Sequence, residues 1–132
     1  MNAPRSRPAP KQDLPAHCIR RRSQWSADEF KAWAAARGEQ VSVIVLEDCT
    51  SQDAAMRVFA RALHLPAWFG ANLDALYDAL TDLPGDEGWN LLISGLARGQ
   101  LPAATREAVL EGLRDAVDDA AGRTRPFRVL YD

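Results

Sequence analysis

The chain has 132 residues, enough for one domain with an extension, and its 47% hydrophobic and 26% charged content is ordinary for a globular protein without a membrane span. Its net charge of −2 hides an asymmetry, because residues 1–39 carry +4 and residues 40–132 carry −6. An acidic domain argues against direct binding of RNA or DNA, which requires a basic surface, and suits a basic partner.

Residues 1–39 are predicted to be an extension that precedes the domain. Residues 1 to about 20 hold four prolines among Arg and Lys, which predicts a flexible basic tail. The start holds no apolar run, so we expect no secretory signal. The run Arg20-Arg21-Arg22 has the charge to contact nucleic acid, although three consecutive arginines are more often a solvated charge run. We expect no nucleic-acid partner for the domain, so any contact with nucleic acid would be made by the basic tail.

A short helix is predicted over about residues 26–37 of the extension. Ser26 and Glu29 have the spacing of a capping box, and Trp25 and Phe30 occupy the two positions of a hydrophobic staple. Because so short a helix is marginal by itself, we expect its aromatic side chains to pack on the domain.

The domain, residues 40–132, is predicted to run strand, helix, helix, strand, helix, strand. The strands are expected at residues 41–46, 89–94 and 126–131. Within the domain, the first helix is capped by Thr50, Ser51 or Asp53, and the second spans 72–83. The third helix of the domain begins at Pro102 and ends near Gly122. This order implies an α/β fold with a small, mostly parallel sheet and right-handed crossovers.

The helix over residues 72–83 combines an apolar face with an acidic row. The apolar face consists of Leu73, Leu76, Leu80 and Leu83. The acidic row on another face consists of Asp74, Asp78 and Asp82, with Tyr77 at the border. Like charges four residues apart repel each other, so a helix that keeps such a row is a candidate for presenting it to a positive partner. The alternative is an ordinary solvated face.

No convincing catalytic, metal or cofactor site is visible in the sequence. His17 and His64 lack the context of a nucleophile's base, and aspartates along one helix do not converge like metal ligands. Cys18 and Cys49 have no metal-binding or redox spacing, and we expect both to be free thiols in a reducing cytoplasm. We therefore expect no enzyme; a small enzyme built around Cys49 or His64 is the third alternative.

The segment 65–81, Leu-Pro-Ala-Trp-Phe-Gly-Ala-Asn-Leu-Asp-Ala-Leu-Tyr-Asp-Ala-Leu-Thr, resembles the signature of the barstar family of bacterial ribonuclease inhibitors. The pattern is a Leu-Pro pair, two aromatics, a Gly-x-Asn-Leu-Asp turn, and an aromatic followed by Asp. The resemblance covers about residues 41–132. It implies a three-stranded parallel sheet packed with helices, and a function exerted by occupying a ribonuclease active site.

The resemblance also implies roles for individual residues. Asp78 matches the principal acidic contact, which enters the phosphate-binding site of the enzyme, and Asp74 matches a second carboxylate contact. Trp68 matches an aromatic that packs on the enzyme's catalytic-histidine loop. The partner-contact residues expected from the acidic row and the resemblance together are Trp68, Phe69, Asn72, Leu73, Asp74, Tyr77, Asp78, Asp82, Asp115 and Asp119.

The leading hypothesis is a cytoplasmic immunity protein that blocks a basic, barnase-like microbial ribonuclease without any cofactor. Trp68 replaces the usual tyrosine and Tyr77 the usual tryptophan, exchanges that keep aromatic contact but point to a different partner surface. Asp82 replaces a small residue, which would either clash with an archetypal enzyme or meet an extra cation. The alternative is a barstar-like interaction adaptor with a partner that is not a ribonuclease.

Overall fold

A computed structural model describes residues 13–65, 72–82, 88–122 and 126–132. In chain order its elements are β1 (His17–Arg21), α1 (Ala27–Ala35), β2 (Gln40–Val45), α2 (Gln52–Ala62), α3 (Leu73–Thr81), β3 (Trp89–Ser94), α4 (Ala103–Ala121) and β4 (Phe127–Tyr131). The strands form one parallel sheet in the order β1-β4-β3-β2. The predicted α/β class and parallel sheet are confirmed.

Side-chain caps fix where three of the helices begin. The capping box of α1 is complete, since Ser26 and Glu29 each accept a hydrogen bond from the other's backbone N–H, at 3.1 and 3.0 Å. Of the three residues considered for α2, Ser51 is the N-cap, and its Oγ accepts from the N–H of Ala54 at 3.2 Å. Asn72 caps α3 as predicted. Pro102 precedes α4 as its N-cap residue instead of occupying its first turn.

The sheet has four strands where the resemblance implied three. The additional strand is β1, which pairs with β4 in the register His17 to Phe127. The expected flexible tail up to residue 20 is therefore wrong for residues 17–20. Local sequence gives little indication of this strand, because Ile19 is its only β-branched residue, and pairing with β4 determines its conformation. The division of the chain at residue 39 stays a prediction.

The sheet is covered on both faces by separate cores. One core joins α2, α3 and α4 to side chains of the sheet such as Ile44, Leu91 and Val129. The other joins α1 to Leu92 and Leu130, which point to the opposite face as strand alternation requires. Crossovers of a single hand would produce these two layers, because the chain crosses from β1 to β2 in one direction and returns through β3 to β4 in the other.

The aromatic residues of α1 and the preceding Trp25 pack on the sheet, as predicted. The Trp25 and Phe30 rings meet edge to face with centroids 6.0 Å apart, and Phe30 and Trp33 are stacked at 6.2 Å. Phe30 has no solvent exposure and belongs to the same core as Leu92 and Leu130. The short helix is thus stabilised by burial against the sheet and by its capping box.

A buried polar network joins the amino-terminal ends of the strands. The Arg128 guanidinium donates to the Glu39 carboxylate, to Asn90 Oδ1 at 3.3 Å, and to the Pro15 carbonyl at 2.8 Å. Asn90 Nδ2 donates to Glu39 Oε1 at 3.0 Å. Arg128 also lies 4.7 Å from the centre of the Trp33 ring. The network therefore links α1 and all four strands.

We predict that Phe30→Ala destabilises the protein by about 3–5 kcal/mol, because it removes a fully buried ring from the α1 core. Denaturant unfolding of the full chain measures the change. Lys31→Ala, at an exposed position of the same helix, is the control and should stay within about 0.5 kcal/mol of the parent. A loss below about 1 kcal/mol for Phe30→Ala would mean that α1 contributes little to the fold.

We predict that Glu39→Gln lowers the free energy of unfolding by about 3 kcal/mol or more, because it leaves the buried charge of Arg128 without its carboxylate. Asp53→Asn is the matched control. It breaks an ion pair with Arg57 in which both side chains are more than 70% exposed, so its effect should be below about 0.5 kcal/mol. Equal effects of the two substitutions in denaturant unfolding would contradict the role assigned to the buried pair.

Candidate functional site

Helices α3 and α4 pack side by side and border an open groove of ≈ 580 Å³. Four carboxylates line it, Asp74 and Asp78 from α3 and Glu111 and Asp115 from α4, and none of its described lining residues is basic. Among the described residues, none of these carboxylates forms an ion pair. We call this feature the acidic groove; its lining carries a formal charge of −4 at neutral pH.

The sequence of α3 explains how its acids reach the groove. Asn72 Oδ1 accepts a hydrogen bond from the N–H of Ala75 at 2.8 Å and fixes the start of the helix. Leu76 and Leu80 are buried in the core that α3 shares with α2 and α4. The helical period then leaves Asp78 on the exposed side. The carboxylates therefore sit on a helix anchored through its opposite face.

The structure brings together five of the predicted partner-contact residues. Those lining the acidic groove are Leu73, Asp74, Tyr77, Asp78 and Asp115.

The other predicted contact residues lie elsewhere. Asp82 is exposed at the C-cap of α3, and Asp119 is partly buried on α4; neither lines the groove. Asn72 acts as the cap of α3. Trp68 and Phe69 lie outside the described residues.

Two features of the α4 side were not predicted as part of the site. Glu111 belongs to an acidic strip visible in the sequence, and its place one turn before Asp115 was the available signal. Gly112 lines the groove between them, and a Cβ built on it would meet no atom within 4 Å. Since glycine is unfavourable inside a helix and no crowding requires one here, its effect is to leave the groove open.

The acidic groove is suited to binding cations and hydrogen-bond donors. No group of three or more potential metal ligands occurs among the described residues. The carboxylates are spread along two helices, where they can each accept hydrogen bonds from separate Arg or Lys side chains. Such a surface fits an extended basic partner better than a single small ion.

The cysteines do not form a second reactive site. Cys18 and Cys49 are free and buried, and burial raises the pKa of both thiols above the ordinary value. Neighbouring Asp48 raises the pKa of Cys49 further. Both side chains therefore stay protonated at neutral pH, the form in which a thiol is a poor nucleophile.

No stretch of helix in the described part of the chain has the length and apolar character needed to cross a membrane.

Comparison with known proteins adds one finding to this geometry. No curated protein matches the chain. A family model described as Barstar (barnase inhibitor) matches residues 39–132, a range that includes β2 to β4 and both helices of the acidic groove. Since this match covers well over half of the sequence, the chain belongs to the barstar family.

Proposed function

We propose that this protein inhibits a microbial ribonuclease of the barnase type by inserting the acidic side of α3 and α4 into the enzyme's active site. The observation that carries the proposal is the acidic groove itself, with four carboxylates and no cation among its described lining residues. The family description, a barnase inhibitor, supports the same function.

The chemistry of the enzyme explains why carboxylates suit this task. A ribonuclease binds a polyanion, so its active site presents Arg, Lys and His side chains to phosphate groups. Carboxylates accept the same charge-assisted hydrogen bonds as phosphate oxygens, and those on anchored helices need little reorganisation on binding. The negative charge of the groove also accelerates encounter with a basic protein.

The position of each carboxylate suggests its contribution. Asp78 lies mid-helix beside the half-buried ring of Tyr77, which can exclude water from the contact. Asp74 is in the first turn of α3, where the helix dipole already stabilises its charge. Asp82 lies beyond the groove, at the end of α3. We infer that Asp78 contributes most to binding and Asp82 least.

Further contacts surround this centre. Asp115 and Glu111 would meet cations from the α4 side, and Asp119 is a further acid for the rim of the interface. The rim of the interface would be completed by apolar and hydrogen-bonding contacts around the carboxylates. These would come from Trp68, Phe69, Asn72, Leu73 and Tyr77. In this role the protein acts as an immunity protein in the cytoplasm and performs no catalysis.

Growth rescue in cells that express a barnase-type ribonuclease from the same genome tests the function most directly. The protein should restore growth and, when purified, reduce RNA cleavage in proportion to the amount added. Failure to bind or inhibit any such ribonuclease would refute the inhibitor function. Binding of a basic protein without nuclease activity through the same groove would establish the alternative, an interaction adaptor.

We predict that Asp78→Ala weakens ribonuclease binding by about 2–5 kcal/mol, because it leaves a desolvated cation of the enzyme unpaired. Asp74→Ala should cost less and Asp82→Ala least. Calorimetric titration of each variant with the enzyme gives the order. Asp118→Ala is the matched control, because it removes an exposed carboxylate of α4 that does not line the groove.

The same substitution should not harm the free protein. Asp78 is exposed and removing it relieves repulsion along α3, so the free energy of unfolding should stay equal or rise by up to about 0.5 kcal/mol. If Asp78→Ala unfolds the protein but leaves binding unchanged, the aspartate is structural and the proposed interface is wrong.

We predict that Gly112→Ala separates stability from binding. It should raise the free energy of unfolding by about 0.5–1 kcal/mol, because alanine favours the helix and its methyl group meets no atom in the free protein. It should also weaken ribonuclease binding about tenfold, because the methyl group projects into the acidic groove. Unfolding and titration experiments on the same variant measure both effects.

Gly122→Ala is the matched control for this prediction. It adds the same methyl group at the end of α4, outside the groove and at an ordinary contact distance of 3.5 Å from the Asp119 carbonyl oxygen. It should leave binding unchanged. Equal binding of the parent and the Gly112→Ala variant would show that the partner does not approach this part of α4.

A further inference from the structure

A second cavity, of ≈ 430 Å³, lies at the carboxyl ends of β1 and β4 and shares no lining residue with the acidic groove. Its lining comes from three places in the chain: the end of β1, the loop after β3 and the end of β4. The residues are Arg21, Arg22, Ser23, Arg98, Tyr131 and Asp132. We call this cavity the basic pocket.

The side chains of the basic pocket have an excess of positive charge. Three guanidinium groups and one side-chain carboxylate line the pocket, and the carboxylate, that of Asp132, accepts from Arg22 Nη1 at 3.3 Å and from Arg98 Nη2 at 3.2 Å. Its other oxygen accepts from the N–H of Gly95 at 2.8 Å. Arg21 lies over the Tyr131 ring, 5.7 Å from its centre, and forms no ion pair among the described residues.

The pocket also occupies a special place in the sheet. The chain leaves β1 towards α1 on one face and leaves β3 towards α4 on the other, and β4 lies between these two strands. In open parallel sheets, ligands bind beyond the carboxyl ends of the strands at the point where the connections diverge to opposite faces. The fold thus brings arginines of the basic extension and of the loop after β3 together at the position where α/β folds form ligand sites.

The shape of the pocket and the chemistry of arginine indicate the ligand. Guanidinium groups match the oxygens of a phosphate group in bidentate geometry and hold it more specifically than a point charge does. The pocket is open to solvent, and its volume of ≈ 430 Å³ is ample for a phosphate group. We propose that the basic pocket binds the phosphate group of a small molecule, either inorganic phosphate or a phosphate monoester such as a nucleotide.

The competing explanation is that the arginines only keep other strands away from the exposed edge of β1. Protection of the edge requires charge along β1 only. It does not explain why Arg98, from the loop after β3, also lines the pocket. Arg20 provides the discriminating comparison. It precedes Arg21 in the same strand, it is exposed, and alternation directs its side chain to the opposite face.

The test is a titration of the full chain with inorganic phosphate, with a nucleoside 5′-monophosphate and with the corresponding nucleoside. Each titration is done at constant ionic strength, and binding is measured by calorimetry and by amide chemical shifts. Phosphate and the monophosphate should bind saturably and shift amides near residues 21–23 and 95–99, and the nucleoside should not bind. Tighter binding of the monophosphate than of phosphate would identify a phosphate monoester as the ligand. Equal affinities would identify phosphate itself.

Arg21→Gln and Arg98→Gln should each weaken phosphate binding about tenfold, since each removes one charge-assisted hydrogen-bond donor. Arg20→Gln should leave it unchanged. Asp132→Asn should strengthen it several-fold, because the amide oxygen can still accept from Gly95 while the side-chain charge that pairs with Arg22 and Arg98 is removed. Denaturant unfolding of each variant separates loss of binding from loss of fold.

Two outcomes would overturn the proposal. One is the absence of saturable binding up to tens of millimolar phosphate in the folded parent protein. The other is an equal loss of binding on Arg20→Gln and Arg21→Gln, which would reduce the basic pocket to a solvated charge run. Ribonuclease inhibition is not part of the readout, so either outcome leaves the proposed inhibitor function unaffected.

Discussion

The ion pair between Arg128 and Glu39 is the interaction on which the arrangement of the sheet depends. Arg128 lies on β4, Glu39 precedes β2, Asn90 lies on β3 and Pro15 precedes β1, and all four are joined by hydrogen bonds. The two charged side chains are less than 10% exposed, so water cannot replace a missing partner. The network therefore enforces one register for all four strands at their amino-terminal ends.

Close packing around this pair requires a glycine immediately before β3. A Cβ at Gly88 would lie 2.6 Å from the carboxyl carbon of Glu39, too close for any side chain unless Glu39 moved. The carboxylate can accept from Arg128 and Asn90 only because this space is empty. A position without a side chain thus leaves room for the most buried of the ion pairs in the described part of the protein.

The polar network holds the amino-terminal ends of the strands, and both candidate binding surfaces lie elsewhere in the molecule. The acidic groove lies on helices α3 and α4, whose inner faces are held in the larger core by residues such as Leu76 and Leu113. The basic pocket lies at the opposite, carboxyl ends of the strands, where loops diverge. One small protein thereby carries two charged surfaces of opposite sign that share no lining residue.

Local sequence was sufficient to predict the elements whose signals are complete within a few residues. The strand Trp89–Ser94 has the predicted bounds, because it is mostly apolar and the sequence before it, Pro-Gly-Asp-Glu-Gly, is typical of a loop. The N-caps Ser26 and Asn72 were predicted from side-chain chemistry that operates over three residues. The face of α3 that carries Asp74 and Asp78 followed from helical periodicity.

Features that depend on distant partners were not predictable in this way. Strand β1 contains more arginine than β-branched residues, and only the pairing offered by β4 makes it a strand. Periodicity defined the faces of α4 without indicating that Glu111 and Gly112 would face α3. The basic pocket combines three segments remote in sequence, so the Arg20-Arg21-Arg22 run alone could not reveal that Arg21 and Arg22 meet Arg98.

The pairing of β1 with β4 has a consequence for the order of folding. Their residues lie 110 positions apart, as in the pair His17 and Phe127, and β4 occupies the interior of the sheet between β1 and β3. During synthesis β1 leaves the ribosome first and has no neighbour until Phe127–Tyr131 have emerged. Long-range pairing of this kind slows folding, and the sheet is complete only when β4 adds to β3 and provides the edge on which β1 becomes a strand.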